Sequence, residues 1–209
     1  AGRRASGLYI PRFRNVSEKD ERFVRGFGFQ GSASRSSWQS GAWTEGIGEK
    51  FKAALRRPGP WRFGMSGFGE MLPDKGNRVW LDDKRTDDWG IPILHIDCEH
   101  GANDRAMLAA IAADARAILE TAGLEDIRVS DQPTPPGLMI HEMGTARMGH
   151  DPATSVLNRF NQAHDVPNLF VTDGACMTSS ACQNPSLTYM ALSARAAHAA
   201  ADMLAEGTL

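Results

Sequence analysis

Three segments near the C-terminal end decide how this chain is read: HEMGTARMGHDPATSVLN at 141–158, NLFVTDGACM at 168–177 and ACQNPSLTYMALSARAA at 181–197. In the second, the short apolar run Leu169, Phe170, Val171 stops at Asp173 and Gly174, the pattern of a buried strand that meets a loop. In the third, Asn184 is an N-cap candidate and Pro185 stands at a first helical position, so a helix is expected over 185–205. Its many alanines favour the helix and keep its profile thin, which lets another element come close. His141 follows Leu138, Met139 and Ile140, as an imidazole at the end of an apolar strand would. Gly144 and the small Thr145 and Ala146 leave room for a ligand near the backbone. Taken alone, the histidine is compatible with a satisfied core residue or with an acid/base group.

Upstream, Leu8–Ile10 and Arg22–Phe29 read as two strands separated by a solvated SEKDE turn. Gly26–Gly31, GFGFQG, has the glycine spacing of a dinucleotide fingerprint, but SASRSSWQSGAW follows where an amphipathic helix is required to receive a pyrophosphate. It is therefore read as a strand. Gly64, Met65, Ser66 and Gly67 start like a nucleophile elbow, and Phe68 occupies the place of its last glycine. A short helix near Glu49–Arg57 ends at Pro58, Gly59, Pro60. Trp61 and Phe63, then Val79–Leu81, then Pro92–Ile96, add strands of an antiparallel meander. From Asn103, a cap candidate, Met107, Leu108, Ile111, Ala115, Ile118 and Leu119 recur at helical spacing until Gly123. Residues 1–135 thus read as an antiparallel sheet backed by a long helix, an α+β unit. DQPTPPG at 131–137 marks its boundary with a C-terminal segment, 136–209.

The chain has 209 residues and 42% hydrophobic content, enough for one sizeable core. With 23 basic and 25 acidic residues, the overall balance offers no electrostatic case for nucleic acid or an anionic membrane. No apolar run reaches the ~18 residues of a membrane span. Cys98, Cys176 and Cys182 contain no CxxC pair and read as packed thiols. Glu99 and His100, two candidates on one strand end without a third, read as solvated or capping groups, and His141 and His150 do not form HExxH, so no metal site is expected. Trp38 and Trp43 read either as core or interface residues or as rings that stack on a sugar.

The three quoted segments, in order and spacing, resemble the C-terminal signature of the glucose-methanol-choline (GMC) oxidoreductases, flavoproteins that oxidise alcohols. GTARMG and QNPSLT are similar to the pyranose oxidase, gluconate dehydrogenase and glucoside 3-dehydrogenase side of that family, and LYIPRFRN fits the start of its substrate domain. The resemblance implies FAD as cofactor and a sugar or polyol as substrate, oxidised at CH–OH by hydride transfer to flavin, with the electron acceptor open. Carried over by motif, His141 is the base toward the substrate hydroxyl and Asn184 binds the same oxygen. Asp173, Gly174, Pro185, Ser186 and Thr188 contact the flavin. The strand at 169–171 and the helix after it complete an FAD-binding Rossmann-like domain whose glycine fingerprint is expected in a missing N-terminal region. The alternative is a truncated, non-catalytic sugar-binding or interaction module without flavin.

Overall fold

The computed structural model describes residues 7–35, 38–130 and 134–209. The first residues of the chain, Ser36 and Ser37 of SASRSSW, and the start of the DQPTPPG boundary lie outside the described residues. The architecture is mixed α and β with two small antiparallel sheets. Strands β1 (Leu8–Ile10), β2 (Phe27–Arg35) and β3 (Trp61–Gly69) form one sheet in that order, and β4 (Arg78–Thr86) pairs with β5 (Pro92–Asp97) in a separate hairpin. The single meander expected from the sequence is therefore divided in two. Helix α1 (Gly48–Leu55) lies between β2 and β3, α2 (Ala102–Thr121) follows the hairpin, and α3 (Ser186–Ala205) ends the chain.

The first core is built where β2 meets α2. Phe27 and Phe29, both fully buried, meet edge to face at 5.6 Å, and Phe23, Met107 and Ala110 close the cluster. Edge-to-face contact brings the positive rim of one ring to the negative face of the other. Two apolar positions on a strand whose alternate residues are glycines give α2 a flat seat. On β3 the seat is closer still: a Cβ on Gly67 would lie 2.2 Å from Ile111 Cγ2, so only glycine lets the helix approach here. Arg14 fixes the helix from the other side through a two-pronged pair with Asp114, Nε to Oδ2 at 2.8 Å and Nη2 to Oδ1 at 2.6 Å.

Local chemistry moved several expected boundaries. The second strand starts at Phe27 rather than Arg22 and runs on through SASR, because its register is set by the full length of β3, Phe27 opposite Gly69 to Arg35 opposite Trp61. GFGFQG is therefore the turn into β2 and its first residues, with no helix behind it. The cap of α2 is Gly101, whose N–H is accepted by Asp104 Oδ2 at 2.7 Å. Asn103 instead accepts from the Val24 N–H at 2.8 Å and ties the helix to the loop before β2.

The C-terminal segment has a second, smaller core of Leu157, Ala163 and Cys176, with Met148, Val171 and Leu192 against it. Its frame is not a sheet. Phe170 makes only an isolated bridge to Gln162, and Leu169 is about half exposed, so the strand expected at 169–171 is absent: no neighbouring segment of the described chain extends the bridge into a ladder. Hydrogen bonds to one buried asparagine take its place. Asn161, fully buried and at φ 65°, donates from Nδ2 to the Val171 carbonyl at 2.9 Å and accepts at Oδ1 from Arg195 of α3 at 3.2 Å.

The accessible surface is 15592 Å², against roughly 9,500 Å² for a compact monomer of this mass. Much of the excess is apolar. Val79, Leu81, Leu94 and Ile96 share one face of the β4–β5 hairpin, and all are more than a third exposed. No helix of the described residues is long and apolar enough to cross a membrane.

Two substitutions probe the two cores. Gly67→Val should lower stability by about 1–3 kcal/mol through the clash with Ile111. Asn161→Ala should cost about 2–4 kcal/mol, since it leaves a buried carbonyl and a guanidinium without their partner at a left-handed position. Denaturant midpoints with an unchanged slope would register both losses; a wild-type midpoint for either variant contradicts the packing described.

Candidate active site

The HEMGTARMG and TDGACM segments lie side by side. Ala146 N–H donates to the Ala175 carbonyl at 3.0 Å and Met148 N–H to the Cys176 carbonyl at 2.9 Å, so two backbone hydrogen bonds lace the loops together. Asp173 opens a short 3-10 turn, Gly174–Cys176, by accepting from the Ala175 N–H at 2.8 Å. Its carboxylate is thereby engaged in holding the turn.

Gly174 is the closest point of this assembly. A Cβ there would lie 2.8 Å from the Glu142 carbonyl oxygen, 2.9 Å from the Tyr189 hydroxyl and 3.0 Å from Met143 Sδ. One missing side chain thus brings together the loop that carries His141, the turn after Asp173 and the first turn of α3. The Tyr189 hydroxyl donates to Met143 Sδ at 3.7 Å. Burial, with the Asp173 carboxylate nearby, pushes its phenol up, so the group stays a donor at neutral pH. Tyr189 and Met143 were not singled out by the sequence reading, because an aromatic one turn into a helix is indistinguishable from an ordinary core residue until its neighbours are known.

His141 is half-buried and has φ 70°, a left-handed backbone that few non-glycine residues adopt. The residues before it form exposed bends rather than the expected apolar strand: Leu138, Met139 and Ile140 are 72%, 51% and 61% exposed. The imidazole makes no hydrogen bond among the described residues. Strain held at a polar side chain with no structural partner is a mark of functional positions.

Helix α3 begins at Ser186, with buried Pro185 as its N-cap and no side-chain cap. Asn184 therefore does not cap the helix, contrary to its sequence reading. The proline ring takes the cap position and turns the chain into the helix one residue later. The Asn184 side chain is exposed and has no hydrogen-bond partner among the described residues, so both its carbonyl oxygen and its NH2 are available. No described group accepts the first-turn N–H groups of exposed Ser186, Leu187 and Thr188. They and the helix dipole leave positive potential at this end. Leu187 and Met190 in the same turn are 78% and 67% exposed.

The structure thus joins the His141 loop, Gly174 and the start of α3 into one rigid corner, with Asp173 in its turn and Asn184, Pro185, Ser186 and Thr188 at its edge. His141 and Asn184 do not touch each other by hydrogen bond. Asp97, Glu99 and His100 lie elsewhere: His100 Nε2 is 2.9 Å from the Thr134 carbonyl, and Glu99 is tied to Asn77.

Comparison with known proteins gives this corner a context. Residues 73–193 match the family model described as GMC oxidoreductase. The chain is 42% identical over 133 residues to a 2-methyl-1,2-propanediol dehydrogenase of Mycolicibacterium austroafricanum, covering 62% of this chain and 23% of that protein. It is 31% identical to the fructose dehydrogenase large subunit of Gluconobacter japonicus, over 95% of this chain and 36% of the relative. A paromamine 6'-oxidase of Streptomyces fradiae is 35% identical over 62% of this chain and 24% of its own length. The chain therefore spans between about a quarter and about a third of these relatives.

Gly174→Ala should separate the three elements of the corner. The new methyl group meets a backbone carbonyl, which cannot rotate away, so a stability loss of about 1–3 kcal/mol is expected. A thermal melt of the variant that coincides with wild type would show that the corner is looser than described.

Proposed function

This chain belongs to the GMC oxidoreductase family, and from that premise we propose that it is the C-terminal, substrate-side part of an FAD-dependent enzyme that oxidises a CH–OH group of a sugar or polyol. The observation that supports this most is the corner at Gly174. It presses the loop bearing a strained, unpartnered histidine against the start of a helix whose first-turn N–H groups are also unpartnered. The relatives are named for 2-methyl-1,2-propanediol, fructose and paromamine.

The residues at the corner suit a flavin. Gly174 leaves the backbone bare, and Pro185, Ser186 and Thr188 present a helix start that favours negative charge by roughly 0.3–2 kcal/mol. Asp173 holds the turn between them. When bound there, flavin supplies the acceptor for the two electrons of the alcohol oxidation.

The chain's own part in the reaction concerns the hydroxyl. A carbinol C–H gives up its electron pair only as the O–H proton leaves, and His141 takes that proton at a ring nitrogen. General-base help of this kind contributes about a hundred- to ten-thousandfold. The Asn184 NH2, unused by any cap, donates to the same oxygen and stabilises its developing negative charge. The Tyr189–Met143 contact ties the loop that carries the imidazole to the first turn of α3.

The exposed apolar surface suits the same reading. Leu187, Met190 and the alanines at 191, 194, 197 and 201 form an uncovered face of α3, a seat for the strand and helix layers of an FAD-binding Rossmann-like domain. In that arrangement residues 1–135 act as the substrate domain and 136–209 close the flavin domain, whose glycine fingerprint lies in an N-terminal region. Electrons then pass to an acceptor that this part does not choose.

His141→Ala in the flavin-loaded protein should slow flavin reduction by sugar at least about a hundredfold, with unchanged flavin content. Stopped-flow bleaching of the flavin band measures it, and near-normal reduction would sink the assignment. A colourless protein that gains no colour with added FAD would favour the non-catalytic sugar-binding or interaction module instead.

A further inference from the structure

Between β2 and β3 the chain makes an excursion that neither the cores nor the proposed reaction uses. A 3-10 turn, Trp38–Trp43, packs on α1, and its fit depends on two glycines. A Cβ at Gly41 would lie 2.5 Å from Leu55 Cδ1, and one at Gly46 would lie 2.6 Å from Phe51 Cδ2. Phe51 and Leu55 thus point inward and consolidate the excursion. The larger apolar groups are left outside: Trp38, Trp43, Ile47 and Trp61 are 72%, 92%, 93% and 62% exposed. Exposure of this degree is unusual for large side chains in an element that has its own internal packing.

The charge around them is one-sided. From Arg35 to Arg62 there are six basic residues and two acidic ones, in a chain whose overall charge is -2. The overall balance conceals the patch, because the remainder of the chain has the opposite sign. Lys50, Lys52, Arg56 and Arg57 are exposed and make no salt bridge among the described residues. Arg35 is held differently: it donates from Nε to the Gly59 carbonyl at 2.8 Å and lies over the Trp61 ring at 5.7 Å, closing the base of the excursion.

We propose that this excursion docks on an anionic lipid surface, with Trp38, Trp43, Ile47 and Trp61 entering the headgroup region and Lys50, Lys52, Arg56 and Arg57 meeting lipid phosphates. Charge complementarity selects this occupant. Lys50, Lys52, Arg56 and Arg57 have no salt-bridge partner among the described residues, and a leaflet of anionic headgroups presents phosphates to all four at once. At a lipid interface the indole rings sit at headgroup depth and long basic side chains reach the phosphates while their stems stay on apolar ground. Each such cation near an anionic leaflet strengthens the attachment roughly fivefold. The attachment is peripheral and reversible, since α1 is too short to lie deep in the bilayer.

Sedimentation of the flavin-loaded protein with vesicles tests this. Phosphatidylglycerol-containing vesicles should pellet it, pure phosphatidylcholine vesicles should not, and raising salt from about 50 mM to about 500 mM should release it. W43A/I47A and the charge reversal K50E/K52E, both at exposed positions, should each lower the bound fraction at least about fivefold while leaving flavin reduction by sugar in vesicle-free buffer within about twofold. Equal pelleting with both vesicle types, no pelleting, or variants that bind like wild type overturns the proposal. So does either of two alternative results for W43A/I47A. An elution change without lipid assigns the surface to a second copy, and a raised sugar KM with intact vesicle binding assigns it to the substrate entrance.

Discussion

The C-terminal half depends on Asn161. A buried amide at a left-handed position is expensive unless every polar atom is answered, and here its backbone and side chain are bonded to Asn158, Val171 and Arg195. This one residue substitutes for a strand ladder: it holds the 168–172 run against the 146–158 loop and pins α3 across both. Laced loops of this kind are stiff only while the hub is intact, because they have few parallel hydrogen bonds to share a loss. The stiffness reaches His141, since the loop that carries it is bonded to Ala175 and Cys176 one layer above the hub.

Helix α3 connects the two roles of the segment. Its buried stripe, Tyr189, Leu192, Ser193 and Ala196, faces the laced loops, with Ser193 donating to the Thr172 carbonyl at 3.2 Å. The opposite stripe is small and uncovered, and the N-terminal turn offers N–H groups with no acceptor. The helix is thus satisfied on the side that positions the histidine and unsatisfied on the sides that a flavin and its domain would complete. The β4–β5 hairpin shows the same division, an apolar face uncovered and a face where Trp80 stacks on His95 at 5.1 Å and His95 bonds Asp82 at 2.8 Å. His95 holds the Asp82 carboxyl at about 2, well below the usual carboxylate range.

Much of this was legible from the residues. The periodicity of Met107, Leu108, Ile111, Ala115, Ile118 and Leu119 placed α2 within one residue of its observed ends, and the polar run after Gly31 was sufficient to dismiss a nucleotide fingerprint in β2. Where the reading failed, the missing information was non-local. Leu169–Val171 is as apolar as a strand should be, but a strand needs a neighbour, and neighbours are not encoded in the run itself. Asn184 read as the cap and Pro185 as the first helical residue; the observed helix starts one residue later, with buried Pro185 at the cap. Asn161 gave no signal at all, for asparagine in a turn-rich stretch is ordinary until its burial is known. The local basic patch around α1 was hidden for a different reason, since a net charge averages over surfaces that face different ways.

The carboxylate of Glu70, at the end of β3, accepts from Ser179 at 2.6 Å and pairs with Arg25 at 3.2 Å, so one side chain closes a loop of 109 residues. Bringing such distant segments together costs about 4 kcal/mol of chain entropy before any contact is gained. The sheet and α2, the Arg14–Asp114 pair included, need no residue beyond Thr121. The latch requires Ser179 as well. Synthesis thus offers the scaffold first, and the corner holding His141 and Asn184 can settle onto it only after Ser179 and the start of α3 have been added.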